Sequence, residues 1–406
     1  MRKLLLIALL FTLALNIHAK GFVGIDGKNL IAPDGTTFLI KGTNLGNWLN
    51  PEGYMFSFKT TSSARQINEM FCELVGPDAT ADFWKAFKDN YITEDDIRFI
   101  KQTGSNTIRL PFNYRLFTDE DYMGLSASQD GMERLESVVN WCRKYGLYLI
   151  LDMHDAPGGQ TGDNIDDSYG YPWIFESEIS QQRFCSIWKE IAAHFKDEPV
   201  VLGYELMNEP IPNYMPNKVQ LGAKLEPLYK KVVSVIRQVD KNHIILLGGY
   251  EWNGNFSQFT DWKFDDKLMY TCHRYGGEPT ANALRAIIDF RDKTGLPMYM
   301  GETGHNSYEW MGRMRETLES NGIGWTYWPY KKMEESCFVG VTPPEDWQTI
   351  VGFAEAPRTT FAEIQKARPD QAKSRAILNK YIEACKFMNG VVQKKYLECL
   401  GLSAQQ

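Results

Sequence analysis

Leu202-Gly203-Tyr204-Glu205-Leu206-Met207-Asn208-Glu209-Pro210 is an apolar run that ends abruptly in an amide, a carboxylate and a proline. A buried strand carries Asn-Glu at its end only if those groups face something other than the core. The pattern recurs where Leu296-Pro297-Met298-Tyr299-Met300-Gly301 runs straight into Glu302. A parallel barrel collects its reactive groups at the C-terminal ends of its strands. Two glutamates at two predicted strand ends fit that plan.

The surrounding sequence has the matching rhythm. Short β-rich apolar runs fall at 38–43, 107–110, 147–153, 200–207, 243–247, 267–272, 298–300 and 324–327, eight in all. Helical patterns lie between them, as at 132–144, 181–195 and 225–239, and Thr93-Glu94-Asp95-Asp96 supplies a start signal before Ile97. Eight strands alternating with helices predict a (β/α)8 barrel. No G-x-G-x-x-G follows the first strand, which argues against an open dinucleotide-binding sheet. Residues 50–92 exceed what one helix needs and predict an insertion after strand one, with helical stretches at 62–75 and 79–87. A second long loop is expected at 158–173, and a helical tail at 357–406 that packs on the barrel. With no linker or repeat in view, residues 20–406 read as a single catalytic domain.

Residues 1–19 read as a signal peptide. Arg2 and Lys3 precede an apolar stretch from Leu4 to Leu15, too short to span a bilayer, and Ala19 offers a small residue for cleavage. The protein is therefore expected outside the cytoplasm, periplasmic or extracellular, with no membrane insertion, and as a monomer. The formal net charge is −7, and the leader carries only basic groups, so the mature chain is more acidic still. Such a surface repels phosphate backbones and excludes nucleic acid as a partner. Seven cysteines without a C-x-x-C argue against zinc; most are expected as small buried residues, with room for a disulfide or two. Eleven Trp, several beside Gly or Pro (Trp48, Trp173, Trp252, Trp328), suit stacking on sugar rings, although loop packing accounts for any one of them except Trp328 equally well.

The strand ends supply a consistent chemical set. Strand one leads to Asn44, Trp48 and Glu52, strand two carries Arg109, and strand three ends in His154. Strand four ends in Asn208 and Glu209, strand six in His273 and Tyr275, strand seven in Glu302, and strand eight in Trp328. Cleaving an acetal requires a protonated acid beside the leaving oxygen and a carboxylate across the anomeric carbon. Glu302, ionised beside Arg109, suits the nucleophile; Glu209, kept protonated by burial and by the Glu302 charge, suits the acid. Asn208 can hold a sugar 2-hydroxyl, and Tyr275 can donate to the nucleophile. Plainer roles compete: Arg109 as a structural ion pair, His154 as a core histidine. Glu205 and Asp152 are expected as inward barrel groups, with Asp152 supporting His154, and Asp163, Asp166 and Asp167 as a solvated loop rather than a calcium site. No H-E-x-x-H or comparable spacing appears, so neither a metal nor another cofactor is expected.

Taken in order, Gly42-Thr43-Asn44-Leu45-Gly46-Asn47-Trp48-Leu49, Arg109-Leu110-Pro111, Leu151-Asp152-Met153-His154, Asn208-Glu209-Pro210, His273-Arg274-Tyr275, Gly301-Glu302 and Trp328 resemble glycoside hydrolase family 5, over roughly residues 38 to 330. The resemblance implies a retaining double displacement with Glu209 as acid/base and Glu302 as nucleophile. It implies that Arg109, His154, Asn208, His273, Tyr275 and Trp328 surround the sugar at the cleavage point. Asn44-Leu45-Gly46-Asn47-Trp48-Leu49 with Glu52, and His154-Asp155-Ala156-Pro157-Gly158-Gly159-Gln160, are most similar to exo-β-1,3-glucanases, in which the matching glutamate grips the non-reducing end. Asn47, Asp155 and the strand-eight end Trp325-Thr326-Tyr327-Trp328-Pro329-Tyr330 depart from those enzymes. The implied partner is a β-linked oligo- or polysaccharide. Alternatives are an endo-acting β-1,4-glucanase, a mannanase or a glycolipid glucosidase of the same family, and, in another class, a non-catalytic carbohydrate-binding protein on this scaffold.

Overall fold

The computed structural model describes residues 21–124 and 130–403; the expected signal peptide at 1–19 lies outside the described residues. Eight parallel strands close into a barrel: β1 (Lys41–Asn44), β2 (Thr107–Asn113), β3 (Tyr148–Asp155), β4 (Val201–Glu205), β5 (Ile244–Gly248), β6 (Leu268–His273), β7 (Met298–Glu302) and β8 (Gly324–Tyr327). Closure runs through β8 and β1, which pair Trp325 with Lys41 and Tyr327 with Thr43. This is the (β/α)8 architecture that the alternating pattern predicts.

Inside the barrel Ile150, Leu202, Ile244, Leu246, Met269 and Tyr299 form one apolar core, and Val23, Leu30 and Ile40 join it from below. The last three belong to a stretch that plugs the N-terminal end, built on an antiparallel meander of Gly24–Asp26, Asn29–Ile31 and Thr37–Phe38. The first predicted strand is thereby divided, because Phe38 pairs in the meander and Lys41 begins the barrel.

The insertion after β1 forms a turn at Gly53–Phe56 and helices Ala64–Val75 and Pro77–Asn90. Ser63 and Gln66 cap the first helix reciprocally, and Pro77 opens the second, where its missing N–H costs nothing. At the next helix Asp96 accepts from both the Thr93 N–H and the Thr93 hydroxyl at 2.8 Å, the start signal seen in the sequence. The tail helix Gln371–Cys385 lays Tyr381 against Phe56 and Trp347, ring centroids 5.5 and 4.7 Å away. All seven cysteines are free thiols and five are buried, so none is spent on a disulfide. Among the described residues no helix is long and apolar enough to cross a membrane.

Candidate active site

At the C-terminal ends of the strands a cavity of about 350 Å³ is lined by Glu52, Tyr54, His154, Ile165, Glu209, Tyr275, Glu302, His305 and Trp328. Directly beneath it lies Arg109, fully buried on β2. Its Nη1 donates to Glu302 Oε1 at 2.6 Å and to Asn44 Oδ1 at 3.0 Å; its Nη2 donates to Glu205 Oε1 at 2.7 Å and to Asn208 Oδ1 at 2.8 Å. Asp152 Oδ2 is 3.0 Å from Nη2. One guanidinium thus holds carboxylates from β3, β4 and β7. The ion pair proposed as a plain alternative for Arg109 and its role at the site are one structure.

Glu302 receives a second donor from Tyr275, whose hydroxyl is 2.7 Å from Oε2. Two donors on one carboxylate fix its orientation. Glu209 is in a different setting. His273 Nδ1 lies 2.8 Å from its Oε1, and burial, with Asp152 and Glu205 nearby and Arg109 opposing, pushes its carboxyl up to about 8. Two carboxyl groups held apart in this way are suited to opposite tasks, one a base or nucleophile and the other an acid. Ligand atoms of Glu209, His273 and Glu302 lie within 4.8 Å of one another, the one cluster among the described residues able to offer a cation three ligands.

The backbone is strained where these groups are aimed. Glu209 has φ +42° and Ile211 +55°, and the short turn after β5 has Glu251, Trp252 and Asn253 at +54°, +56° and +60°. Such angles disfavour residues with a Cβ and persist where surroundings over-determine them. Here the surroundings are hydrogen bonds. Glu251 N donates to Ile211 O at 2.7 Å, and Gln160 Nε2 donates to the carbonyls of His154 (2.6 Å) and Asn208 (2.8 Å). Thr161 Oγ1 donates to Glu209 O at 2.7 Å.

The other expected residues divide into two layers. His154, Tyr275, Trp328, Glu52, Glu209 and Glu302 reach the cavity. Asn44 lies below it, fully buried, with Nδ2 on the carbonyls of Gly301 and Thr326 and Oδ1 on Arg109; it orients Arg109 and does not reach a sugar. Asn208 and His273 sit at the cavity floor, both buried. His154 stacks on Trp328 at 5.3 Å, donates from Nδ1 to Asp152 at 2.8 Å and accepts at Nε2 from Asn208 Nδ2 at 3.3 Å. Burial lowers His154 and His273 to about 4 each, so both rings are neutral near pH 7.

Glu52 is 4 % exposed, and burial, then Glu302 and Glu209, push its carboxyl well above the usual range. Beside it Tyr54 OH accepts from Trp328 Nε1 at 2.7 Å and lies 3.3 Å from His305 Nε2. Tyr54 and His305 carry no strand-end signal, and their roles follow only from this wall. Trp48 is buried with its Nε1 on Lys88 O, so it packs the insertion and meets no ligand. Asp166 and Asp167 correct the solvated-loop expectation. Both are buried, Asp166 accepting from Thr161 N and Gly162 N and Asp167 from Arg115 Nη1 at 3.1 Å. A shallow depression of about 500 Å³ between Glu133, Glu136 and Glu190 lies on the outer helices, remote from the strand ends.

Comparison with known proteins agrees with this geometry. Residues 59–334 match the family model "Cellulase (glycosyl hydrolase family 5)". Over 365 residues the chain is 27 % identical to a β-xylosidase of Phanerodontia chrysosporium, covering 81 % of this chain and 75 % of that protein. It is 26 % identical to endoglucanase C of Acetivibrio thermocellus, covering 62 % and 88 %. The rutinosidase of Aspergillus niger has the same fold, with a TM-score of 0.59 at 21 % identity over 73 % of this chain and 90 % of that one. The chain belongs to glycosyl hydrolase family 5.

Proposed function

We propose that this glycosidase releases sugar from the non-reducing ends of β-glucans, β-1,3-linked glucan first among them, with retention of configuration. The observation that carries the mechanism is the approach of Glu209 and Glu302, whose nearest oxygens lie within 4.8 Å. Retaining enzymes hold their carboxyl pair about 5–5.5 Å apart, whereas inverting ones leave room for a water at about 6.5–9.5 Å. Glu302, held between Arg109 and Tyr275, attacks the anomeric carbon. Glu209 gives its proton to the departing oxygen and then takes one from the incoming water. Asn208, held by His154, offers its second amide hydrogen to a sugar hydroxyl, and the Trp328 indole faces the ring.

Action at chain ends is supported by the wall of Glu52, Tyr54, Trp328 and His305. It rises from the loops after β1, β7 and β8, across the barrel from Glu209, and so closes the side where a chain would otherwise continue. Trp173 and Tyr214, 45 % and 55 % exposed, stand on the loops after β3 and β4, where a leaving chain would lie. A product profile on β-1,3-, β-1,4- and mixed-linkage glucans, β-mannan and xyloglucan tests this. Glucose alone supports the closed wall, and an oligosaccharide ladder overturns it. Azide with Glu302→Ala tests the roles: an α-glycosyl azide supports them, and a β-azide means they are reversed. Export through the leader at 1–19 rests on the sequence alone, and an N-terminus found at Met1 in the mature protein would end that reading.

A further inference from the structure

Asn253 belongs to no motif of the sequence, yet it is buried, left-handed at φ +60°, and has its Nδ2 3.2 Å from Nε2 of His273. An amide nitrogen only donates, so this contact decides which ring nitrogen of His273 carries the proton. The amide's orientation is fixed on its other side. A Cβ built on Gly248 would fall 1.9 Å from Asn253 Oδ1, so that oxygen faces a Gly248 Cα hydrogen, the place of an acceptor and not of a second N–H. Glycine at 248 is what lets the amide approach. Glycine at 301 does the same for the ring, since a Cβ there would come within 3.0 Å of His273 Nε2.

We propose that Asn253 is a positioning residue that sets the tautomer of His273: the amide donates to Nε2, the ring proton sits on Nδ1, and Nδ1 donates to Glu209 Oε1. The consequence concerns where the catalytic proton resides. With Oε1 occupied as an acceptor, the proton of Glu209 must sit on Oε2, which has no hydrogen-bond partner among the described residues, and is free to move to a leaving oxygen. In the opposite tautomer Nδ1 accepts, and Glu209 spends its proton on the imidazole. During the first step the C–O bond to the leaving group breaks, Oε2–H protonates that oxygen, and Glu302 takes the anomeric carbon. During the second step water attacks that carbon, the C–O bond to Glu302 breaks and frees the carboxylate, and the water's proton returns to Oε2.

The other groups around His273 agree with this assignment. Glu302 Oε2 is 3.6 Å from Nδ1 and favours a proton there. Glu205 Oε1 is 4.0 Å from Nε2 but is occupied by Arg109, and Glu205 Oε2 accepts from Tyr299. Burial above all, with the charge of Arg109 and the neighbouring His154 ring, disfavours the imidazolium against Glu302 and Glu205, which favour it. The molecule uses the same device once more, at His154, where Asn208 Nδ2 meets Nε2 while Nδ1 meets Asp152.

The inference rests on Glu209 being the acid. The test combines two readouts. Nitrogen NMR of the uniformly ¹⁵N-histidine-labelled enzyme, with His273→Gln to assign the signals, is expected to show Nδ1 protonated and Nε2 bare. In Asn253→Asp, whose carboxylate accepts from Nε2, the pattern is expected to reverse. For kcat/KM, phenyl β-glucoside needs an acid and 2,4-dinitrophenyl β-glucoside does not. Asn253→Asp and Asn253→Ala should lose about 10-fold or more on the first and little on the second, within the range that acid catalysis contributes. Equal losses on both substrates, or a wild-type signal with Nε2 protonated, would overturn the tautomer assignment. Glu209→Gln separates the two readings: a loss confined to the phenyl substrate supports the acid, whereas equal loss on both removes Glu209 from that role.

Discussion

Each reactive side chain is defined by what surrounds it rather than by its own chemistry. Glu209 and Glu302 are the same residue type, yet only one is held by a guanidinium and a phenol. Because Glu209 must carry a proton for the first step and is raised to about 8, kcat/KM should fall as pH rises through about 8. His273 and His154, lowered to about 4, are already neutral there and contribute nothing to that limb. A pH profile of kcat/KM on phenyl β-glucoside checks this, and a flat profile to pH 10 would remove Glu209 as the titrating acid. Arg109 is the second test at this scale. Replacing it by Met leaves Asp152, Glu205 and Glu302 without their shared counter-charge, and breaking a buried pair in this way costs about 3–5 kcal/mol. Urea unfolding of Arg109→Met should show that loss; stability equal to wild type would mean the guanidinium does not hold the cluster together.

At the level of strands and loops, the barrel strands were legible in the sequence because they are short apolar runs in alternation with helical patterns, and most end in a polar residue. The small sheets were not. Strands of two or three residues, such as Asn29–Ile31, Lys331–Met333 and Val391–Val392, are too short to carry a periodicity; the first two pair with nearby chain, and Val391–Val392 pairs with Val339 and Gly340 of a distant segment. The turn after β5 was hidden for another reason. Left-handed angles are announced by Gly, and here Glu251, Trp252 and Asn253 adopt them under tertiary constraint. Gly301 was legible only as the residue before Glu302, and its necessity is geometric. A Cβ there would lie 2.4 Å from Thr271 Oγ1 and 3.0 Å from His273 Nε2. Gly301→Ala should therefore displace His273 and lower kcat/KM by at least about 10-fold while circular dichroism stays unchanged. Wild-type turnover would show that the β6–β7 spacing is looser than drawn.

Across the whole molecule, the tail links stability to the sugar wall. Tyr381 packs on Phe56 at 5.5 Å, and Phe56 ends the turn that begins one residue after Glu52. The tail also closes over Lys331, whose fully buried ammonium pairs with Asp96 at 2.5 Å and donates to Tyr91 O and Cys385 O. A wall anchored this way is only as rigid as the helix behind it. Tyr381→Ala empties an aromatic site in the core and should cost about 3–5 kcal/mol. It should also raise KM for oligosaccharides more than for an aryl glucoside bound by the same sugar pocket, and let longer products appear, because Glu52 and Tyr54 lose their backing. Glu52→Gln removes the carboxyl without the packing loss, so it should weaken substrate binding by about 2- to 10-fold, the worth of one hydrogen bond, at unchanged melting temperature. If Tyr381→Ala unfolds more easily but keeps wild-type product lengths, the tail stabilises the barrel and plays no part in closing the cavity.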